Sequence, residues 1–363
     1  MFEIIFTAAL VFYFVQTFIF IIGIKKKYTK LNDDKLPSIS VVVAARNEEE
    51  NIIDCLKSLE GLIYPEEKIE ILIVDDNSTD ATGELVNQFV EGKSEFKSLR
   101  VEKKHPRLSG KAGAIAYALN HAKGEVIITT DADCVVSPTW AKTLASHYND
   151  GVAMVCGYTT QYNFSSFTGM QEVDFIYLLG VAAGAMNLGK PLSCIGNNMS
   201  FRKSVYDEVG GYESIPFSVT EDFKLLMTIH DLKKYKIIYP LDSGGLVYSK
   251  PCEDLKSLYW QKKRWGVGGL DSDLAGFSVM AAAFVTHIAI LLIPFFYSPI
   301  ALYLLLLKIA VDYFFLYPLF KKLKLEFKIK NFISFEIYLL IYVLVLPLLV
   351  IFNRKVKWKG REY

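Results

Sequence analysis

Val126-Ile127-Ile128-Thr129-Thr130-Asp131-Ala132-Asp133-Cys134 is the stretch on which the reading of this chain turns. Its β-branched run predicts a buried strand that stops at two carboxylates one residue apart. Side chains alternate faces along a strand, so Asp131 and Asp133 point the same way if extended geometry continues through Ala132. Two hard oxygen ligands at a strand end suit a divalent cation that shares its shell with phosphate oxygens. A solvated strand-to-loop turn is the bland alternative for Asp-x-Asp. The surrounding chain decides between them.

From Pro37 to about Gly269 strand and helix patterns alternate. Ser38 to Ala45 and Ile69 to Val74 are β-rich, and a short strand is expected at Leu99 to Val101. Glu48 to Leu59 and the alanine-rich Gly110 to Ala122 have helical character, and Ser78-Thr79-Asp80 opens another helix with Glu84 among its early residues. Such alternation predicts an α/β domain with a mostly parallel sheet. In open α/β sheets ligands bind at the carboxyl ends of strands. Polar residues collect there: Arg46-Asn47-Glu48 after the first strand, Asp75-Asp76-Asn77 after the second, Asp131 and Asp133 after the later one.

The 363 residues carry a formal charge of +1, which offers no bulk electrostatic case for nucleic acid. Hydrophobic residues make up 52% and the mean hydropathy is +0.27, which directs attention to membrane spans. Phe2 to Ile24 is long enough to cross a bilayer, and Lys25-Lys26-Lys27 after it predicts a cytoplasmic flank. A signal peptide is the competing reading; the basic residues follow the apolar stretch and no small-residue cleavage pattern precedes Lys25, which favours a retained anchor. A second apolar block from Val279 to Phe320 predicts two spans joined near Tyr297-Ser298-Pro299. Lys308 and Asp312 lie four residues apart within it, placed to pair with each other. A third stretch, Phe332 to Phe352, precedes a basic tail. Three full crossings from the cytoplasm put that tail outside, against the positive-inside tendency, so either the tendency is violated or one stretch is re-entrant or interfacial. Phe175 to Leu188 is apolar but glycine-broken and short, and is expected as an interfacial or acceptor-side helix. Five dispersed cysteines without Cys-x-x-Cys spacing are expected as reduced, mostly buried thiols. The scattered histidines, His105 among them, are expected as structural or exposed.

Val41-Val-Val-Ala-Ala-Arg-Asn-Glu-Glu, Ile73-Val-Asp-Asp-Asn-Ser-Thr-Asp, Gly110-Lys-Ala-Gly-Ala and Thr130-Asp-Ala-Asp together resemble the nucleotide-sugar half of family 2 glycosyltransferases of the A-type fold. The likeness continues through Gly196-Asn-Asn-Met-Ser-Phe-Arg, Thr220-Glu-Asp-Phe and Gln261-Lys-Lys-Arg-Trp, in the family's order. The terminal Trp358-Lys-Gly-Arg-Glu-Tyr is similar to the signature of its membrane members, especially ceramide glucosyltransferase-like enzymes.

This resemblance implies a Rossmann-like, mostly parallel sheet and a UDP-sugar donor. Asp75 or Asp76 receives the uracil or ribose, with backbone from Ala44 through Ala45 to Arg46 lining the base and Glu48 nearby; helix capping is the competing role for the aspartates. Lys111 approaches the diphosphate, unless it is a plain surface lysine. Asp133, with Asp131 toward the sugar or ribose, binds Mg²⁺ or Mn²⁺. Asp222 is implied as general base for single displacement with inversion, although Glu221 and Asp222 also suit a helix N-terminus. Glu221, Gln261, Arg264 and Trp265 serve the acceptor or diphosphate; Arg264 can fork onto phosphate and Trp265 offers a flat face to a sugar. A snorkelling basic-aromatic belt is the alternative for that run.

The expected organisation is an anchor at 1–27, a cytoplasmic catalytic domain at 38–269, and a membrane region at 270–363 with two to three spans and a basic tail. The expected activity is hexose transfer from a UDP-sugar to a lipid at the cytoplasmic membrane face. A processive polysaccharide synthase of poly-N-acetylglucosamine or hyaluronan type shares the Gln-x-x-Arg-Trp motif but is expected to need more spans. A polyprenyl-phosphate sugar synthase is the third reading. A catalytically dead scaffold is disfavoured because Asp131, Asp133 and Asp222 are all present.

Overall fold

The computed structural model describes residues 1–102, 108, 110–358 and 361–362. His105 and, from the terminal signature, Lys359, Gly360 and Tyr363 lie outside the described residues. In chain order, helix α1 (Phe2–Ile24) precedes β1 (Ile39–Ala45), α2 (Ile52–Glu60), β2 (Ile69–Asp75), α3 (Thr82–Val90), β3 (Phe96–Arg100), α4 (Gly110–Leu119) and β4 (Val126–Asp131). Then come β5 (Cys134–Val136), α5 (Trp140–Ala145), β6 (Val152–Cys156), β7 (Thr159–Gln161) and α6 (Ser166–Asn187). Next are β8 (Met199–Arg202), α7 (Lys203–Glu208), α8 (Gly211–Ser214), α9 (Glu221–Asp231), β9 (Lys236–Ile238) and β10 (Val247–Ser249). Helices α10 (Leu255–Gly269), α11 (Leu274–Leu292), α12 (Pro299–Lys322) and α13 (Ile329–Phe352) follow, and the two-residue strands β11 (Lys357–Trp358) and β12 (Arg361–Glu362) end the chain.

Two compact units result. One comprises residues 26–160 and 193–250; the other comprises 1–25, 161–192 and 251–363. The first holds a seven-stranded sheet in the order β3-β2-β1-β4-β8-β6-β9. Strands β3, β2, β1 and β4 run parallel, whereas β8 is antiparallel to both β4 and β6. The continuous apolar runs of β1, β2 and β4 are buried, as expected of strands covered on both faces. Register aligns their carboxyl ends: Ala45 pairs with Asp75 and Ala44 with Asp131. Gly124 leads into β4 where β1 passes so closely that a Cβ would lie 2.3 Å from the Ser40 nitrogen.

In the second unit, α1, α11, α12 and α13 are each long and apolar enough to cross a membrane. The segment expected as a short helix at Phe175–Leu188 instead forms the 22-residue α6, opened by a capping box between Ser165 and Thr168. Its glycines serve close approach rather than breakage. A Cβ on Gly184 would lie 2.6 Å from the Phe20 Cα, and one on Gly23 would lie 1.9 Å from the Gly184 carbonyl oxygen. Asn187 donates to the Gly23 carbonyl at 3.1 Å. Deeper in the bundle Lys308 pairs with Asp312 at 2.8 Å, as its i, i+4 spacing predicts, and also with Glu336 on α13 at 2.5 Å. Tyr13 donates to Asp312 and meets the Tyr177 hydroxyl, both at 2.7 Å. The buried charges of α12, Lys308 and Asp312, are thereby paired with each other and with α1 and α13.

The tight α1–α6 contact yields a first prediction. Gly184→Val overpacks a backbone-to-backbone crossing and is expected to cost about 1–3 kcal/mol or more. Gly269→Ala, at a position with nothing within 4 Å, is the control. Thermal unfolding of both proteins in detergent checks this, and equal midpoints would contradict it.

Candidate active site

The turns after β1 and β2 are built on matched left-handed asparagines, Asn47 (φ 52°) and Asn77 (φ 57°), a conformation asparagine tolerates better than most residues. Thr79 N–H donates to Asn47 Oδ1 at 2.9 Å, and Arg46 Nη1 donates to the Asn77 carbonyl at 3.2 Å. The two turns therefore form one rim. Asp75 accepts from Ser78 N–H at 2.7 Å, an Asx-type bond that organises its own loop. Its other oxygen lies 3.8 Å from Arg100 Nε in a polar cleft of ≈ 450 Å³ between α3 and β3, also lined by Glu84, Asn87 and Ser98. Asp76 is buried, and its N–H donates to the Ala45 carbonyl at 2.9 Å. Glu48 is buried too; it accepts from Asn51 at 2.7 Å, and its N–H donates to Thr82 Oγ1 at 2.7 Å. Helix α2 consequently begins at Ile52, four residues later than the sequence pattern predicts, because Glu48 to Asn51 are spent on this rim.

At the end of β4 the strand does not continue through Ala132. Residues 132–133 form a turn, and β5 restarts at Cys134. The alternation argument for Asp131 and Asp133 is corrected accordingly: a tight turn with buried Ala132 at its centre, not extended backbone, joins them. Two thiols lie beside them: Cys134 donates to Asp133 Oδ1 at 3.4 Å and Cys55 to the Asp131 carbonyl at 3.5 Å. Burial, then Asp133, then Asp131 push Cys55 and Cys134 well above the ordinary thiol range, which keeps both protonated and poor as metal ligands. What remains is a hard-oxygen pair that fits Mg²⁺ or Mn²⁺ and disfavours softer ions. Among the described residues no cluster of three or more His, Cys, Asp or Glu is placed to hold a metal, so a cation here needs oxygens from a bound diphosphate or water.

Lys111, in the first turn of α4, ties this corner to another part of the unit. Its ammonium pairs with Asp131 and lies 3.8 Å from Glu221 on α9. Burial works against the charge, but Asp131, then Glu221 and Asp222, raise its pKa well above the ordinary lysine value. Lys111 is thus a fixed cation among three carboxylates. Asp222, in the first turn of α9, accepts from Phe223 N–H at 2.8 Å. Gly196 forms the wall beside them: a Cβ there would lie 3.1 Å from both Lys111 Nζ and Asp222 Oδ2.

That wall is held by residues that sequence patterns did not single out for a site role. Thr129 donates to the Gly196 carbonyl at 2.8 Å, and Thr159 to Asn197 Oδ1 at 2.8 Å. Buried Asn198 accepts from Trp140 Nε1 at 2.9 Å and donates to the Tyr158 and Gly245 carbonyls at 2.6 and 2.9 Å. The Gly-Asn-Asn run was the available signal; its partners are 38 to 67 residues away and invisible to local pattern.

The Gln261-Lys-Lys-Arg-Trp run lies on α10, in the other unit. Gln261, Arg264 and Trp265 are half-buried, while Lys262 and Lys263 between them are buried. The Trp265 ring, expected as a platform for a sugar, already carries the Lys262 ammonium 4.2 Å from its centroid and packs on Phe175 at 5.3 Å. Burial, opposed by Asp174, lowers the Lys262 pKa.

Gly196→Val tests the wall. Its side chain must displace Lys111 or Asp222, and sub-ångström misplacement of catalytic groups is expensive. Turnover is expected to fall about tenfold or more with the unfolding midpoint little changed; undiminished turnover would remove Gly196 from the site.

Comparison with known proteins identifies the family. The chain matches the model for glycosyl transferase family 2 over residues 40–210 and that for glycosyl transferase family group 2 over residues 126–353, more than half its length. It is 28% identical over 244 residues to a poly-β-1,6-N-acetyl-D-glucosamine synthase of Staphylococcus epidermidis, covering 66% of this chain and 56% of that one. It is 28% identical over 250 residues to the β-monoglucosyldiacylglycerol synthase of a Nostoc species, covering 67% and 51% respectively. The chain thus spans about half the length of the curated relatives it matches. Among solved structures, a mannosyltransferase from Pyrobaculum calidifontis, determined with GDP-mannose and Mn²⁺, superposes with a TM-score of 0.65 at 19% identity, over 94% of this chain and 97% of that one. An A-type α/β fold and a family match across most of the chain lead to one conclusion: this protein belongs to the family 2 glycosyltransferases.

Proposed function

We propose that the enzyme transfers a hexose with inversion from a UDP-sugar to a lipid acceptor at the cytoplasmic membrane face. The observation that carries this reading is the convergence of Asp131, Lys111, Glu221 and Asp222 beside Gly196 at the carboxyl ends of the parallel strands. Asp75 or Asp76 is the nucleoside contact in this reading; one Asp75 oxygen also accepts from the Ser78 amide. Ala45, Arg46 and Glu48 shape the rim against the base. Lys111 lends fixed positive charge to the diphosphate. Asp133, with Asp131, would hold the divalent cation, which when bound neutralises charge on the leaving diphosphate.

Asp222 takes the proton from the acceptor hydroxyl. A single carboxylate acting on the nucleophile, without a covalent sugar intermediate, gives inversion. Glu221, beside Lys111, supports the same corner. Gln261 and Arg264 supply amide and guanidinium groups suited to acceptor or phosphate oxygens. Four span-length apolar helices support a membrane location, and the named product of the Nostoc relative supports a lipid acceptor. The staphylococcal relative supports a second reading, a processive polymer synthase.

Three measurements test this function. Incubation with UDP- and GDP-sugars and lipid extracts, followed by mass analysis, is expected to yield a lipid-extractable product carrying one hexose; a long water-soluble chain would favour polymer synthesis. Chelation by EDTA is expected to stop turnover and added Mg²⁺ or Mn²⁺ to restore it, with Asp133→Ala refractory to rescue; full activity in chelator would refute metal dependence. Asp222→Asn should lose about 10²- to 10⁴-fold in rate while still binding donor, and a parallel collapse of donor binding would reassign Asp222 to the donor site.

A further inference from the structure

The Gln-x-x-Arg-Trp helix has two faces with different employment. On α10 Gln261 and Arg264 are i, i+3 neighbours, and so are Lys262 and Trp265, set round by roughly 100°. The Lys262/Trp265 face is gripped by α6. Lys262 forms a buried ion pair with Asp174, whose side chain is 1% exposed. Its ammonium also lies 4.2 Å from the Trp265 centroid and 5.2 Å from that of Tyr342 on α13. Phe175, next to Asp174, packs on Trp265 at 5.3 Å and 57°. One turn earlier on α6, Gln171 exchanges two hydrogen bonds with Cys252, just ahead of α10: it donates to the carbonyl at 3.0 Å and accepts from the N–H at 2.9 Å. Gln171, Asp174 and Phe175 stand at i, i+3 and i+4, one stripe of α6. On another side, α13 packs so closely that a Cβ on Gly266 would lie 2.9 Å from Val350 and 3.0 Å from Leu346.

We infer that Asp174 is a positioning residue: paired with Lys262, it fixes the rotation of α10 about its own axis and so sets where Gln261 and Arg264 point. The inference rests on the proposed reading that those two residues serve the acceptor or the diphosphate. Stability alone is a poor reason for the pair. Burial pulls both groups toward neutrality, raising the Asp174 pKa and lowering that of Lys262, and apolar replacements of buried ion pairs are often neutral or stabilising. What an ion pair adds is directionality. An apolar contact is satisfied over a range of helix rotations, whereas the Asp174–Lys262 bond with its cation–π contacts is satisfied over a narrow one. Trp265 in this arrangement is a wedge against which the Lys262 ammonium is held.

The experiment uses the full-length enzyme in detergent or nanodiscs, with the donor and acceptor identified by the panel above. Asp174→Asn is expected to lower kcat about 10- to 100-fold. Asp174→Glu is expected to recover most of the loss. Trp265 emission, isolated as the difference between each protein and its Trp265→Phe counterpart, should shift in Asp174→Asn and return in Asp174→Glu. The double variant Asp174→Leu with Lys262→Met keeps an apolar contact and is expected to fold while remaining slow. Arg264→Ala separates the two layers of reasoning. If it retains full turnover, the role proposed for α10 falls. If it is inactive while Asp174→Asn or the double variant turns over normally, or if Asp174→Asn slows turnover with Trp265 emission unmoved, the positioning role falls by itself.

Discussion

One corner of the sheet-bearing unit is built round a single cation. Asp131, Glu221 and Asp222 are brought together from β4 and the start of α9, and three carboxylates in a partly dehydrated corner repel one another unless positive charge is built in. Lys111 provides it, paired with Asp131 and 3.8 Å from Glu221. The glycine at 196 is a consequence: with Lys111 and Asp222 each 3.1 Å from the place of a Cβ, no side chain is accommodated without moving them. Asn198 follows in turn, since a loop that must pass so close has to be held, and three hydrogen bonds from one buried amide hold it.

The helical unit solves a different problem with different means. Helices in hydrocarbon gain little from apolar contact with one another, so close approach and buried polar bonds specify their packing. The Gly23–Gly184 crossing supplies the first, and the Tyr13–Asp312–Lys308–Glu336 chain supplies the second. Helix α6 takes part in both, with Tyr177 bonded to Tyr13 and Asp174 bonded to Lys262. A segment whose glycines and modest length argue against a membrane role is therefore among the most heavily used in that unit. Its glycines are the sites of contact.

The family's ordered motifs divide between the units. Those from Val41 to Asp222 lie in the sheet-bearing unit, and the Gln-x-x-Arg-Trp run belongs with the helices. Spacing within that last motif has a mechanical sense. Residues three apart share a helix face, so Gln261 with Arg264 and Lys262 with Trp265 form separate stripes. The second is consumed by packing against α6.

Much was legible in the sequence because it is local. β-Branched runs and alternating helical stretches specified the parallel core, apolar length specified four span-length helices, and i, i+4 spacing specified the Lys308–Asp312 pair. Polar residues at strand ends were brought side by side, since register between parallel neighbours aligns those ends without further information. Tertiary structure decided what depends on residues distant in the chain. The turn at Ala132, the duty of Asp75 to its own loop, and the burial of Lys262 beneath Trp265 each follow from partners or crowding that no short window contains. Gly196 shows the same division most plainly. A glycine in the chain announces permission for close approach, and only the fold says that Lys111 and Asp222 are what approaches.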